Sequence, residues 1–326
     1  MSSYIEENIK LNNNNNDNSI YITTMDKTKL QKPFLKWVGG KTQIIEEVLK
    51  TVPREINNYH EFFLGGGSVL FAILSLERIG DIVIKGNIYA YDYNKALISL
   101  YDNVKTNPRK IYHAICEHKY IFENITGTEV NRKPTNMNEA TTSKESYYYW
   151  LRKCYNEIED KCCIEASVLF MLLNKLCFRG LYREGPNGFN VPYGHYKNPS
   201  IITEQTIMEI SSLLQKVTFK CCHFEESFNF VKPNDYIYCD PPYVPENKTS
   251  FVDYNSDGFT IKEHTSLFEK LVKLDKKYIR FSLSNSKVAM VKEYFHDGFQ
   301  CQEVKARRAI NSKNPESTTM EVIYYS

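Results

Sequence analysis

The chain has 326 residues, 42% hydrophobic and 25% charged, with a net charge of +2. That is apolar material for one large core, or one core with a smaller appended unit, and no apolar run is long enough to span a bilayer. The near-neutral balance lacks the basic excess of a chain held on nucleic acid by bulk charge, so any such surface has to come from local patches.

Nine cysteines make an odd count, with adjacent pairs at Cys162-Cys163 and Cys221-Cys222 and no CxxC spacing. They read as reduced thiols, and no metal site is expected. No signal-peptide pattern opens the chain, so the expected location is intracellular, cytoplasmic or nuclear, and not secreted.

In chain order, residues 1–32 carry an asparagine run, Asn12 to Asn16, amid short polar stretches. Such composition buries too little apolar surface to offset ordering entropy, and a disordered tail is expected. After Lys32 an amphipathic helix is predicted over Gln43–Lys50. His60 to Leu64 reads as a strand running into Gly65-Gly66-Gly67, and Ser68 opens a helix over Val69–Ile79. A second strand, Ile88–Tyr91, ends at Asp92, and a helix follows over Lys95–Val104. Residues 108–200 are mainly helical in pattern, for example Glu165–Cys177. They read as a separate inserted lobe, in which Gly185-Pro186-Asn187-Gly188 turns a β-hairpin. Val217–Cys222, Tyr236–Cys239 and Tyr278–Leu283 have strand length, and Cys301–Ala306 with Met320–Tyr325 reads as an antiparallel hairpin at a sheet edge. Strands alternating with helices predict an α/β domain built on a parallel sheet covered on both faces. Its two parts, 33–107 and 201–326, flank the 108–200 insertion.

Four segments carry chemistry. Asp240-Pro241-Pro242-Tyr243 directly follows a strand, at the carboxyl end where open α/β sheets bind ligands. The prolines fix a rigid exit turn. The adenine amino nitrogen is a poor nucleophile because its lone pair is delocalised into the ring. A carboxylate and a turn carbonyl accepting its two N–H groups push it toward tetrahedral geometry, and an aromatic ring stacks on the base. Asp240, the Pro241 carbonyl and Tyr243 supply those groups. Second, Glu61 to Ser68 brings glycines to a strand-to-helix junction without a GxGxxG pattern or a phosphate-binding lysine, and Asp92 ends the next strand. That combination suits a nucleoside without phosphates, as in S-adenosylmethionine. Third, Phe34 to Lys41 sets Trp37 beside two glycines, with Lys41 available to the methionine carboxylate of such a cofactor. Fourth, Leu173 to Arg183 and Phe189 to Gly194 interleave cations with aromatics, as phosphate contact and base reading require. Taken singly, each also fits a plain turn, a helix lead-in or a solvated basic loop.

Together, and in this order, the four segments resemble the deoxyadenosine methyltransferase (Dam) family of GATC-modifying enzymes, with its alpha-class motif order. The resemblance runs from Phe34 to about Tyr325 and takes in Ser284-Asn285-Ser286 and Val304 to Ile310. It implies a Rossmann-like S-adenosylmethionine-dependent methyltransferase sheet whose inserted, mainly helical lobe is a target-recognition domain. It implies methylation of adenine N6 in duplex DNA by base flipping and direct transfer, with S-adenosylmethionine as cofactor and no metal. Trp37, Lys41, Glu61, Phe63, Gly65, Asp92 and Asp240 would line the cofactor pocket. Asp240, Pro241, Pro242 and Tyr243 would carry catalysis. Lys36, Leu181, Arg183 and Pro192 fall where the family reads bases, Lys175 at a phosphate contact, Phe178 at the gap left by the flipped base, and Arg179 within reach of a neighbouring phosphate or a flanking base. The implied partners are double-stranded DNA and a companion restriction endonuclease, with no membrane partner and a monomer or weak dimer as the working form. Departures stand at Phe62 for a proline, Phe178 for a tyrosine, Arg179 for an asparagine and His195 for an arginine; the last three weaken the claim to GATC. The competing readings are a same-fold enzyme acting on cytosine N4 or RNA adenine, an inactive DNA-binding homologue, and a metal-dependent nuclease, for which the paired acids are missing.

Overall fold

The computed structural model describes residues 26–245, 258–275, 279–296, 298–307 and 318–326. Two short strand pairs stand apart from the main sheet. Strand β1 (Glu55–Ile56) runs parallel to β3 (Val83–Ile84), and β5 (Glu184–Gly185) antiparallel to β6 (Gly188–Phe189). The main sheet is built from β2 (Tyr59–Phe62), β4 (Ile88–Asp92), β7 (Val217–Cys221), β8 (Tyr236–Cys239), β9 (Arg280–Ser286), β10 (Gln300–Arg307) and β11 (Thr318–Tyr325). Their order is β10-β11-β9-β8-β2-β4-β7, with all pairs parallel except those made by β11. The hairpin expected at an edge is present, but only β10 is an edge strand; β11 is inserted between it and β9.

The chain leaves β2 in one direction, to β4 and β7, and later builds β8 and β9 on the other side. This reversal between β2 and β8 is a topological switch point, where α/β sheets open a crevice beyond their strand ends. The two-residue strand period sorts the side chains. Tyr59, Ala90, Tyr236 and Tyr238 face one core together with helices Ser68–Ile79, Lys95–Thr106, Pro108–Asn124, Lys144–Glu157, Ile164–Leu176 and Glu204–Leu214. Phe62, Ile237, Cys239, Phe281 and Leu283 face a second core with helices Ile261–Asp275 and Ala289–Tyr294.

Several expectations need correction. The tail was expected to run to Lys32, yet Asp26 caps a 3₁₀ turn over Lys27–Lys29, and the Gln31 N–H donates to Ser75 Oγ at 2.9 Å. The asparagine run lies outside the described residues. Strand β2 stops at Phe62 because Phe63 adopts a left-handed φ of 62°. The first helix is Ile45–Leu49, entered through a 3₁₀ turn at Lys41–Gln43. Strand β9 starts at Arg280, and Tyr278 lies outside the described residues, as do Arg308, Ala309 and Ile310. The inserted lobe packs directly on the sheet domain. Its Tyr148, Tyr155, Phe170 and Leu173 belong to the same continuous cluster as Tyr59 and Ile73 of the sheet domain.

At the end of the sheet away from the crevice, buried Asp235 ties β8 to β2. It accepts from Asn57 Nδ2, Asn58 N and Nδ2, Lys232 N and His60 Nε2. Burial pushes its pKa up, but these bonds outweigh burial and hold it below the usual carboxylate value. A depressed folded pKa contributes stability above the unfolded value, which is lost as pH falls through the folded one. Asp235→Ala leaves at least two buried donors unpaired at about 1–3 kcal/mol each. Urea unfolding should show a loss of roughly 3 kcal/mol, and the wild-type midpoint should fall on acidification below about pH 4, with a weaker fall in Asp235→Asn.

Candidate active site

The crevice begins at the glycine loop. Leu64 N–H still bonds Tyr91 O at 2.8 Å, and the chain then turns away through left-handed Gly65 (φ 49°) and Gly67 (φ 69°) into the helix at Ser68. Asp92 braces this turn from the end of β4. Its Oδ2 accepts from Gly65 N at 2.9 Å, and its Oδ1 from Asn94 N at 2.9 Å. Burial raises the Asp92 pKa despite those bonds. Trp37 lies against the loop, so close that a Cβ on Gly65 or Gly66 would sit 2.8 Å from it. The other rings beside the indole come from the insertion: Phe170 at 6.4 Å and Tyr182 at 5.7 Å, both stacked.

Glu61 does not open onto the crevice. It is 2% exposed, accepts from Tyr59 Oη at 2.7 Å and from the Leu70 backbone N–H, and so caps from below a helix whose N-cap is Gly67. Burial lifts its pKa to about 8, so its carboxyl is neutral at pH 7. Phe63, flipped outward by its left-handed backbone, meets Phe224 at 5.7 Å and Phe259 at 5.5 Å and starts an aromatic wall beside Asp92.

Asp240 leaves β8 on the same sheet face as Glu61. Its Oδ2 accepts from Lys41 Nζ at 2.6 Å, and the same ammonium donates to Gly39 O at 2.6 Å. Lys41, expected to face a cofactor carboxylate, is therefore 4% exposed and committed to Asp240. Burial raises Asp240 to about 6; Lys41 counters this and Glu321 adds to it. Tyr243 packs near the pair, with Lys41 Nζ 5.0 Å from its ring centre and its hydroxyl donating to Glu321 Oε2 at 2.8 Å. Pro241 is buried and Pro242 exposed, so the turn presents one rigid edge. Among the described residues no group of three or more His, Cys, Asp or Glu could hold a metal.

The residues expected to meet DNA gather around Asn174. Its Oδ1 accepts from Lys36 N at 2.9 Å, and its Nδ2 donates to Lys36 O at 2.7 Å and to Gly180 O. That frame joins Lys36 to the stretch holding Phe178, Arg179 and Leu181. Pro192 O in turn accepts from Phe178 N at 2.8 Å. Phe178 and Pro192 are exposed, Leu181 is half-buried, and Arg179 is held at φ 57°. Lys36 Nζ lies 3.9 Å over the Tyr196 ring. Arg183 is exposed on the hairpin, its Nε donating to Asn190 Oδ1 at 2.6 Å. Lys175 is partly buried; desolvation, with Lys36 nearby, lowers its pKa to about 8.

Sequence reading missed Asn174, Tyr182 and Glu321 as site residues. Asn174 sits on an apolar helix and gave no polar periodicity, whereas the alternation of β11 does put Glu321 on the Asp240 face.

The sheet order, with an acid-Pro-Pro-Tyr turn at its switch point, defines a Rossmann-like methyltransferase. Residues 37–310 match the D12 class of N6 adenine-specific DNA methyltransferases. The type II methyltransferase M.MjaIII of Methanocaldococcus jannaschii is 35% identical over 86% of this chain and 93% of its own. The DNA adenine methylase of Haemophilus influenzae is 32% identical over 89% and 91%, and that of Escherichia coli 30% over 87% and 91%. The chain belongs to the D12 class of N6 adenine-specific DNA methyltransferases: an enzyme that methylates adenine N6 in DNA.

The Lys41–Asp240 pair sets a pH limit. An Asp240 that works as an ionised acceptor predicts that activity falls as pH drops through about 6. Lys41→Met removes both influences that lower this pKa. The acid limb of the kcat/KM profile should then move to higher pH; an unmoved limb means another group titrates there.

Proposed function

We propose that the crevice between the Gly65 loop, Asp92 and Asp240 binds S-adenosylmethionine, and that the enzyme methylates an adenine flipped out of duplex DNA, with GATC as its target. The observation that carries this reading is the Asp240 carboxylate held by Lys41 beside the Tyr243 ring at the end of β8. The donor set fits the cofactor. Asp92 keeps a lone pair for a ribose hydroxyl after serving the backbone amides of Gly65, Asn94 and Tyr93, and Phe63, Phe224 and Phe259 offer an apolar wall for a purine. No phosphate-binding lysine follows the glycines, and a sulfonium is favoured beside carboxylates. Trp37 and Gly65 would shape the wall on the insertion side. Lys41 would act mainly by fixing Asp240, and Glu61 by holding the loop.

S-adenosylmethionine supplies an electrophilic methyl group. Asp240 and the Pro241 carbonyl accept the two N6–H bonds and turn the nitrogen lone pair toward the methyl, while Tyr243 stacks on the base, its other face toward Lys41. The methylated nitrogen then sheds a proton, which Asp240, with a pKa near 6, is poised to accept. Lys36, Leu181, Arg183 and Pro192 would read base edges: the apolar pair suits a thymine methyl, and Arg183 suits guanine O6 and N7. Lys175 would meet a phosphate, and exposed Phe178 would fill the gap left by the flipped base. The insertion, 108–200, would serve as the recognition unit, and the type II relatives suggest a companion endonuclease.

Asp240→Ala should lose on the order of 10²-fold or more in rate with the fold intact. Tyr243→Ala should fail, whereas Tyr243→Phe should retain some activity because it keeps the ring. Full activity in Asp240→Ala overturns the catalytic reading. Target choice is tested by methylating random-sequence duplex with labelled S-adenosylmethionine and mapping the sites. Arg183→Ala should relax one base pair, at about 1–3 kcal/mol of discrimination. Lys175→Ala should weaken binding on every sequence, with a shallower salt dependence. Methylated adenines without a shared GATC core reject the recognition half and leave the catalytic half standing.

A further inference from the structure

Tyr243 sits on a turn, and a ring there needs external support to hold one orientation. Only its backbone start is fixed by Pro241-Pro242. Just beyond it, Val244 is pinned from β9: its N–H donates to Asn285 Oδ1 at 3.1 Å, and its carbonyl accepts from Ser286 Oγ. The ring itself is held from elsewhere. Its hydroxyl reaches Glu321 Oε2 at 2.8 Å, 78 residues away in sequence. Glu321 is anchored on both sides, opposite Ser286 of β9 and Val304 of β10, on a strand inside the sheet rather than at its edge. A carboxylate so placed is a fixed post for a phenol that would otherwise swing about two side-chain torsions.

We propose that Glu321 is a positioning residue for methyl transfer: it locks the Tyr243 ring as the stacking platform for the flipped adenine. The proposal rests on the adenine-site reading above and extends it to a residue that touches neither base nor cofactor. Glu321 acts on Asp240 as well. Among the described residues, the charged and titratable groups coupled to Asp240 are Lys41 from the segment before β2, Glu61 of β2, Tyr238 and Cys239 of β8, Tyr243 and Glu321 of β11. Of these, Lys41 lowers its pKa and the Glu321 carboxylate raises it. Glu321 thus orients the platform and keeps Asp240 basic enough to take the proton that N6 releases.

A double-mutant cycle tests this. Glu321→Ala and Tyr243→Phe cut the same hydrogen bond from opposite ends. If each slows turnover several-fold, the double variant should be no slower than the worse single one. Glu321→Gln keeps an acceptor for the hydroxyl but removes the charge. It should recover most of the turnover lost in Glu321→Ala, and its acid limb should move to lower pH. Duplex carrying 2-aminopurine at the target position reports stacking independently of turnover: Glu321→Ala should leave the flipped base brighter than wild type does, and Glu321→Gln should not. Multiplying effects in the double variant, or wild-type turnover and fluorescence in Glu321→Ala, overturn the proposal. Asp240→Ala run alongside separates the two failures. If it is dead while Glu321→Ala is unimpaired, only the role of Glu321 falls; if it is active, the adenine site itself is wrong.

Discussion

The ion pair between Lys41 and Asp240 is the contact on which the site depends. It spans 199 positions of sequence and closes the sheet's crevice from the side of the chain's first turn. A carboxylate at the end of a buried strand is costly to ionise, and without a cation it would take up a proton. Lys41 offsets much of that cost, and the balance leaves Asp240 near 6 rather than at either extreme. A stronger pairing would hold the carboxylate ionised but make it a poor proton acceptor. A weaker one would leave it protonated, unable to accept the adenine N–H. Lys41 is fixed in turn: its backbone N–H donates to Ser68 Oγ at 2.9 Å, so the cation and the glycine loop move as one unit.

Three carboxyl groups stand on one face of the sheet: Glu61 on β2, Asp240 after β8 and Glu321 on β11. Burial keeps Glu61 neutral at pH 7, so its value is as a cap rather than a charge. Keeping it neutral also spares Asp240 a second like charge beside the one from Glu321, which would drive its pKa higher still. With S-adenosylmethionine as the proposed donor, methyl transfer moves positive charge from sulfur to nitrogen. Asp240 and Glu321 on that face are fixed before any ligand arrives, and such preorganisation is where electrostatic catalysis gains most.

The sheet and the chemistry of its turn were legible in the sequence because both depend on local pattern. Val217 to Cys221 and Tyr236 to Cys239 are apolar runs of strand length, and a Pro-Pro pair after a strand has few structural uses. What was not legible depends on distant partners. Lys41 read as a cofactor ligand because nothing near it in sequence announces Asp240. Glu61 was placed at the pocket by the family resemblance alone, and nothing near it in sequence announces the bond it accepts from the Leu70 N–H. The tail was drawn too long: Gln31 looks like part of a polar stretch until Ser75, 44 residues on, accepts its N–H. The insertion looked separate because its helical rhythm differs, yet rhythm says nothing about whose core those helices fill.

That shared core bears on how recognition and catalysis are joined. Trp37 stacks on Tyr182 of the insertion while its ring presses on the Gly65–Gly66 turn, and Lys36, its neighbour, is bonded at both backbone atoms to Asn174. One short segment therefore touches the helix Ile164–Leu176, the glycine loop and, through Lys41, Asp240. A close-packed junction of this kind does not deform gradually, because its rings and backbone bonds have few alternative arrangements. Any shift of the insertion has to carry the indole with it and so press on or release the glycine loop. The same geometry makes it costly to reorient the insertion as a rigid body. On the reading proposed above, adaptation to a target falls to the exposed side chains around Asn174, Phe178 and Pro192 among them, and to the hairpin beside Arg183.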